Sequence, residues 1–330
     1  MGEAKGEWKL IEWIRARARP DPAAVPIGPG DDMALVTLGG ESQCLLTIDS
    51  LLEGTHFDLS KATPRQVGYK ALAVSLSDAA AMASKPVCAL AWVGLPDNRD
   101  VAFAEELSLG MADAADRFAC PVVGGDITSW KQPLLALGTA VVARPAGILP
   151  IRRSGAKPGD LVFVTGELGG SILGRHLAFA PRVAEARQLA ALATIHAMMD
   201  ISDGLSTDLG HIAREGGVAA EIRADAIPVS DDARKLAKID GRTPLDHALN
   251  DGEDFELLLA VEPVDAQDLL KRNPLGEVRL TCIGKIAEGR GLTIVEADGT
   301  ARPLEPGGYE HFRGACGGKN GQAASGKNGK

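Results

Sequence analysis

Short apolar runs alternate with amphipathic stretches along most of this chain, the rhythm of strands interleaved with helices. Residues 7–17 place Trp8, Leu10, Ile11, Trp13 and Ile14 at helical spacing. After a Pro/Gly-rich loop, residues 33–38 and 44–48 read as strands joined by a Gly39-Gly40 hairpin turn, the second ending at Asp49. Residues 65–83 read as a long helix, small or apolar on nearly every side and therefore buried, yet it carries Asp78. A strand over 87–95, a helix over 102–118, a short strand over 121–123 that ends in Gly124-Gly125-Asp126, and a strand over 134–143 follow.

Residues 147–159, rich in Gly, Pro and basic side chains, have the composition of a connection. Beyond it the rhythm restarts, with strands over 161–165, 218–222, 256–261 and 278–286 and helices over 184–194 and 207–214. The stretch 199–205, Met-Asp-Ile-Ser-Asp-Gly-Leu, lies between an apolar run and an amphipathic one. It reads as a strand end, a tight corner and a helix start, with Ser202 or Asp203 as the N-cap. Capping explains one acid there; a metal ion held for phosphate chemistry would explain both Asp200 and Asp203. At 330 residues two domains are expected, taken as 1–147 and 148–312. Residues 313–330, Gly/Lys/Asn/Ser-rich with no apolar period, are expected to be a disordered tail.

Charge and composition narrow the function. A net charge of -9 and 4% aromatic content argue against a broad nucleic-acid surface, and an anionic ligand would need a cation between it and the protein. Five scattered cysteines, odd in number and without metal-ligand spacing, suit a reducing compartment. No signal-like apolar segment and no run of membrane-spanning length is present, so a cytoplasmic protein with no membrane attachment is expected.

Acidic residues recur where strands end: Asp31-Asp32, Asp49, Asp126, Asp200 and Asp203, with Asp78 added from the buried helix. Any one of them could be a solvated loop acid. A convergent group is different, because two carboxylates ~4 Å apart repel by about 4 kcal/mol at an effective dielectric near 20. Such a group needs protons or divalent cations, and Mg²⁺ with oxygen ligands, completed by substrate phosphates, meets that need. The stretch 321–328 imitates a P-loop but has Asn328 where Ser or Thr is required and lacks the flanking strand and helix, so nucleotide binding would use another scaffold. His56, near Asp49 and Glu53, is a candidate polar contact. Arg152-Arg153-Ser154 could meet phosphate or be a solvated linker, and Tyr309 could close a core or wall a flat ring.

Several motifs occur together and in order: Gly30-Asp31-Asp32, Thr47-Ile48-Asp49-Ser50-Leu51, Glu53-Gly54-Thr55-His56-Phe57, the Gly68 to Val74 stretch GYKALAV, Leu76-Ser77-Asp78 and Gly124-Gly125-Asp126. They continue with the residues 153–160 (RSGAKPGD), the 199–205 corner, Gly252-Glu253-Asp254-Phe255-Glu256-Leu257 and Gly308-Tyr309-Glu310-His311-Phe312. By that order and spacing the chain resembles the thiamine-monophosphate kinase family, of the aminoimidazole ribonucleotide synthetase superfamily, over residues 7–312.

The resemblance implies an α/β, α+β-type two-domain fold of that superfamily, with the N-terminal sheet pairing against a partner's in a homodimer. It implies direct in-line transfer of the ATP γ-phosphate to thiamine monophosphate, with several Mg²⁺ ions. Carried over by position, Asp32, Thr47, Asp49, Asp78, Asp126, Asp200 and Asp203, with the backbone of Ile48, correspond to the metal cage. Gly125, Asp126, Arg153 and Ser202 correspond to ATP contacts, and His56, Glu253 and Tyr309 to contacts with the acceptor. Asp203, Asp126 and Arg153 are the expected catalytic residues. The chain departs from the family pattern at Ile48 (commonly Thr), Trp130 (often Arg nearby), Asp251 (usually Gly) and a shortened 171–182 segment. Two rivals remain: another ATP user of the superfamily, and a silent metal- or nucleotide-binding protein. Among the former, selenophosphate synthetase is disfavoured because residues 1–31 contain no Cys.

Overall fold

The computed structural model describes residues 7–18, 20–40 and 42–310. The expected tail, with its P-loop-like stretch, lies outside the described residues, as do His311 and Phe312. Helix α1 (Glu7–Arg17) precedes β1 (Ala34–Gly39), β2 (Ser42–Leu52), α2 (Pro64–Ala81), β3 (Lys85–Pro96), α3 (Val101–Phe118), β4 (Val122–Trp130) and β5 (Ala136–Arg144). The five strands form one sheet in the order β1-β2-β5-β3-β4, antiparallel except for the β3–β4 pair. The second half contributes β6 (Leu161–Thr165), α4 (Val183–Leu192), β7 (Ile195–Asp200), α5 (Leu205–Gly216) and β8 (Ala219–Arg223). It continues with α6 (Asp231–Asp240), α7 (Pro244–Asn250), β9 (Leu257–Val261), α8 (Pro263–Arg272), β10 (Leu280–Ala287), β11 (Gly291–Val295) and β12 (Ala301–Pro303). Its strands form a seven-stranded sheet ordered β12-β11-β8-β10-β6-β9-β7. Among the described residues no helix is long and apolar enough to cross a membrane.

Helix α2 organises both halves. Thr63 caps it through the Gln66 N–H, the Gln66 side chain returns to the Thr63 N–H, and Pro64 opens the first turn. Its near-uniform burial requires partners on every side. Gly68 and Gly110 let α2 and α3 cross closely: a Cβ at Gly68 would lie 1.9 Å from the Leu107 carbonyl oxygen. Leu72, Leu76, Ala79 and Ala80 share one core with Leu35 and Leu45 of the first sheet and with Phe163, Met198, Leu257 and Leu259 of the second. Among the described residues the opposite face of the first sheet has no such cover. Leu46, Ile48, Leu52, Leu90 and Trp130 are exposed on it, Ile48 by 67%.

Strand β4 corrects one expectation. It does not end at Gly124-Gly125-Asp126 but runs through it, because Gly125 lacks the Cβ that would fall 1.8 Å from the Ala91 carbonyl oxygen of β3. Helices α6 and α8 escaped the sequence reading because they bury so little, Ala233 alone in α6 and Ala266 with Leu269 in α8.

Candidate active site

Strand β7 ends at Asp200 and α5 starts at Leu205, with the 201–204 corner between them. Neither Ser202 nor Asp203 is the N-cap. That position is Gly204, at φ 109, and no side chain caps the helix from it. Asp208 turns back from the first turn instead, and its Oδ2 accepts the N–H groups of Asp203 and Gly204, each at 3.1 Å. The outward-facing carbonyls of the corner tie in two distant segments. Ser202 O accepts the Glu253 N–H at 2.7 Å, and Asp203 O accepts the Tyr309 N–H at 2.9 Å. Only glycine fits beside the second of these: a Cβ at Gly308 would lie 2.0 Å from Asp203 O.

Acids converge next to the corner. Carboxylate oxygens of Asp32, Asp78 and Asp200 lie within 4.8 Å of one another. Hydroxyls of α2 hold two of the acids in place: Ser77 Oγ donates to Asp200 at 2.5 Å and Ser75 Oγ to Asp49 at 2.9 Å. Thr47 Oγ1 donates to Asp78. Burial, followed by the charges of Asp49, Asp200 and Asp32, raises the Asp78 carboxyl well above the usual range. Burial and then Asp32 push Asp200 up to about 7. The counter-charge is Arg153, which donates to both oxygens of Asp32. Burial opposes its charge, but Asp32, Asp200 and Asp78 more than offset this and raise its pKa. One guanidinium against Asp32, Asp49, Asp78 and Asp200 leaves a deficit of positive charge, and the all-oxygen donor set fits a hard divalent cation.

A second group, Asp203, Asp208 and His211, is equally close-set. Arg214 Nη2 lies 2.7 Å from His211 Nδ1, and because a guanidinium only donates, Nδ1 accepts and Nε2 carries the ring proton. Burial, then Arg153 and Arg214, push His211 down to about 2, so it stays neutral. A protonated Nε2 is the wrong sense for a metal ligand, so His211 does not suit one; Asp208 braces the corner, and Asp203 also lines a cleft.

A cleft of about 1180 Å³ gathers Asp49, His56, Ser202, Asp203, Glu253 and Tyr309. His56 Nδ1 accepts the Leu52 N–H at 3.0 Å, which leaves the proton on Nε2. Glu253 sits at φ 62 in a loop whose other acids are engaged. Asp251 meets the Gly170 N–H and His247, each at 2.9 Å, so the departure from glycine there is structural. Asp254 meets Gly169 N–H and Arg175, and Glu256 meets Thr165 and Arg182. Lys70, absent from the sequence-derived candidates, reaches Glu253 from α2. The available signal was a charge inside a largely apolar helix, the same signal that singled out Asp78.

Asp126 does not join the acids within this chain. Asp49 shares its cross-strand row with Thr139, Ala91 and Gly125, the row facing α2. Asp126 belongs to the next row, with Ser50, Gly138 and Trp92, on the opposite face. Strand β4 also stands three strands from β2, roughly 14 Å at the usual spacing. Gly125 and Asp126 line a separate cavity of about 550 Å³ with Ala91, Ser108 and Met111. Ile48 points its side chain outward, to the face opposite the row that carries Asp49.

Residues 30–144 match the model of the AIR synthase related protein N-terminal domain, and residues 159–296 match that of the C-terminal domain. Thiamine-monophosphate kinase from Rhodopirellula baltica is 35% identical over 92% of this chain and 97% of its own length. The Escherichia coli K12 thiamine-monophosphate kinase is 34% identical over 94% and 99%. A solved structure, AaThiL complexed with AMPPCP and TMP, superposes with a TM-score of 0.79 at 31% identity, covering 93% of this chain and 97% of that one. The two halves and their arrangement therefore define an AIR synthase related fold. Within it, the chain belongs to the thiamine-monophosphate kinase family.

Proposed function

We propose that this chain transfers the γ-phosphate of ATP directly to thiamine monophosphate, giving thiamine diphosphate and ADP, as a cytoplasmic homodimer dependent on Mg²⁺. The observation that carries the reading is the cleft itself: His56, Glu253 and Tyr309 line one cavity with Asp49, Ser202 and Asp203, beside the convergent acids. Bound to Asp32, Asp49, Asp78, Asp200 and Asp203, with Thr47 and the Ile48 backbone alongside, divalent cations would neutralise the facing phosphates of donor and acceptor. The chain's own groups then position. Tyr309 offers a ring at the cleft wall, His56 a fixed Nε2–H, and Glu253 a carboxylate. Ser202, which lines the cleft, and Arg153, paired with Asp32, are the groups this reading gives to the donor phosphates. An acceptor phosphate is already ionised near neutral pH, so the reaction needs alignment more than a base.

Gly125 and Asp126 belong to the nucleotide in this reading, and the second copy supplies them. The exposed apolar face of the first sheet carries Asp126 at its edge, so packing that face against its twin brings the partner's Asp126 towards β2. Incubation with ATP and Mg²⁺ tests the activity. Thiamine diphosphate should form from the monophosphate and not from thiamine, and no phosphoenzyme should be trapped when the acceptor is withheld. Failure of the first sinks the reaction, and a labelled chain sinks direct transfer.

The acids give a pH signature. Asp200 is pushed up to about 7 by burial and then by Asp32, against about 3.9 when unfolded. The cation-free folded chain therefore holds an extra proton between those values. Its stabilising effect is complete below about pH 4 and is lost as pH rises through about 7. In chelator, Tm should fall across that window, and Mg²⁺ should raise it more at about pH 8 than at about pH 6, since protons compete for the same oxygens. Thermal melts at both pH values check this; an equal Mg²⁺ effect would separate the cation from these acids.

A further inference from the structure

We propose that Lys70 is a positioning residue that sets acceptor affinity by tying together two cleft-lining loops, one from each half of the chain. The inference rests on the reading that His56 and Glu253 contact the acceptor. Lys70 is fully buried in α2. Its Nζ donates to the His56 carbonyl oxygen at 2.6 Å and to Glu253 Oε1 at 2.5 Å. Those partners both line the cleft and come from different halves of the chain, one in the loop after β2 and the other in the loop before β9. A buried ammonium left without partners is costly, so the contacts are strong constraints on both loops. The other acids of the second loop are held by groups of their own half, Arg175, Arg182 and His247. Glu253 alone among them is held from the first half.

Two consequences follow for the acceptor. The distance between His56 and Glu253 is fixed by one side chain on a helix that cannot shift without disturbing the shared core. Glu253 also spends one oxygen on Lys70, so its second oxygen is the one available to the cleft, and the pair is neutral. A neutral pair does not repel an incoming phosphate, yet it still accepts a hydrogen bond from an amino-bearing aromatic cation, the chemistry of the acceptor's ring system. Donor binding involves neither partner.

Steady-state kinetics of Lys70→Met, Glu253→Gln and the double variant, run well below the melting temperatures, test this. Lys70→Met should raise KM for thiamine monophosphate about 10- to 100-fold, the range for one charge-assisted hydrogen bond. The kcat and the KM for ATP should stay within about twofold, the mark of lost uniform binding. The double variant, which leaves no charge unpaired, should lie within about fivefold of Glu253→Gln alone, since the two side chains share one contact and only the bond from Lys70 to the His56 carbonyl is lost besides. If Lys70→Met does not fold, that closeness is the deciding measurement. Additive effects in the double variant, or parallel losses in kcat and in KM for ATP, would overturn the positioning role. A wild-type chain that turns over thiamine monophosphate normally while Lys70→Met has an unchanged KM sinks Lys70 alone; a wild-type chain with no turnover sinks the reading of the site.

Discussion

Replacing Asp200 by asparagine is expected to lower kcat roughly 10²- to 10³-fold, the scale set by removing one preorganised charge-stabilising group, while the chelator-treated protein melts no lower than wild type. The second half of that expectation separates a ligand from a structural acid. Asparagine keeps an oxygen for the Ser77 hydroxyl, which donates to Asp200 at 2.5 Å. It removes a charge from a group in which Asp32, Asp78 and Asp200 crowd within 4.8 Å. Relief of that repulsion offsets the lost interactions in the cation-free state. Asp32 would be a poorer choice, because its loss strands the Arg153 guanidinium. Kinetics with Mg²⁺ in excess, paired with melts in chelator, decide the matter. Wild-type kcat, or a chain that no longer folds, defeats the assignment.

Subunit mixing should recover activity that neither parent has. If the partner's Asp126 completes each site, Asp126→Asn and Asp200→Asn chains are each inactive as homodimers. A hybrid of the two pairs the intact Asp200 of one chain with the intact Asp126 of the other at one of its two sites. Random reassortment of a two-fold dimer then restores about a quarter of wild-type activity. Were Asp126 to act within its own chain, every hybrid site would carry a lesion and mixing would restore nothing. The expectation stands on the sheet register, which sends Asp126 and Asp49 to opposite faces.

Much of this was legible in the sequence. The apolar rhythm gave α2, α3, β3 and β9 within a few residues because each buries a face, and burial is what periodicity reports. The acids Asp32, Asp78 and Asp200 were legible for a complementary reason: a carboxylate at a strand end or in an apolar helix demands compensation, and among the described residues Arg153 is the cation paired with the group. The corner was misread in detail. Capping propensity pointed to Ser202 or Asp203, but a glycine at positive φ took the position, and Asp208, four residues on, satisfied the free N–H groups. That exchange depends on a backbone conformation, which residue type alone does not specify. The sequence could not show which face Asp126 takes, because a strand's row and face follow from pairing partners far along the chain, and its neighbours Trp92 and Gly138 are not adjacent to it in sequence. Glu253 and Asp254 look alike as text; only the fold gives one to Lys70 of the first half and the other to Arg175 of its own half.

Helix α2 has a bearing on motion as well. Two domains joined by a short connection usually invite a hinge, with ligands bound as the halves swing shut. Here Leu72, Leu76 and Ala79 are packed against Phe163, Met198 and Leu259 of the second half, and swinging the halves apart would pull that apolar contact into water. The helix acts as a keel. In the proposed reaction, entry of acceptor and exit of product then fall to the segments lining the cleft, the one bearing Tyr309 among them, with no swing of the halves required.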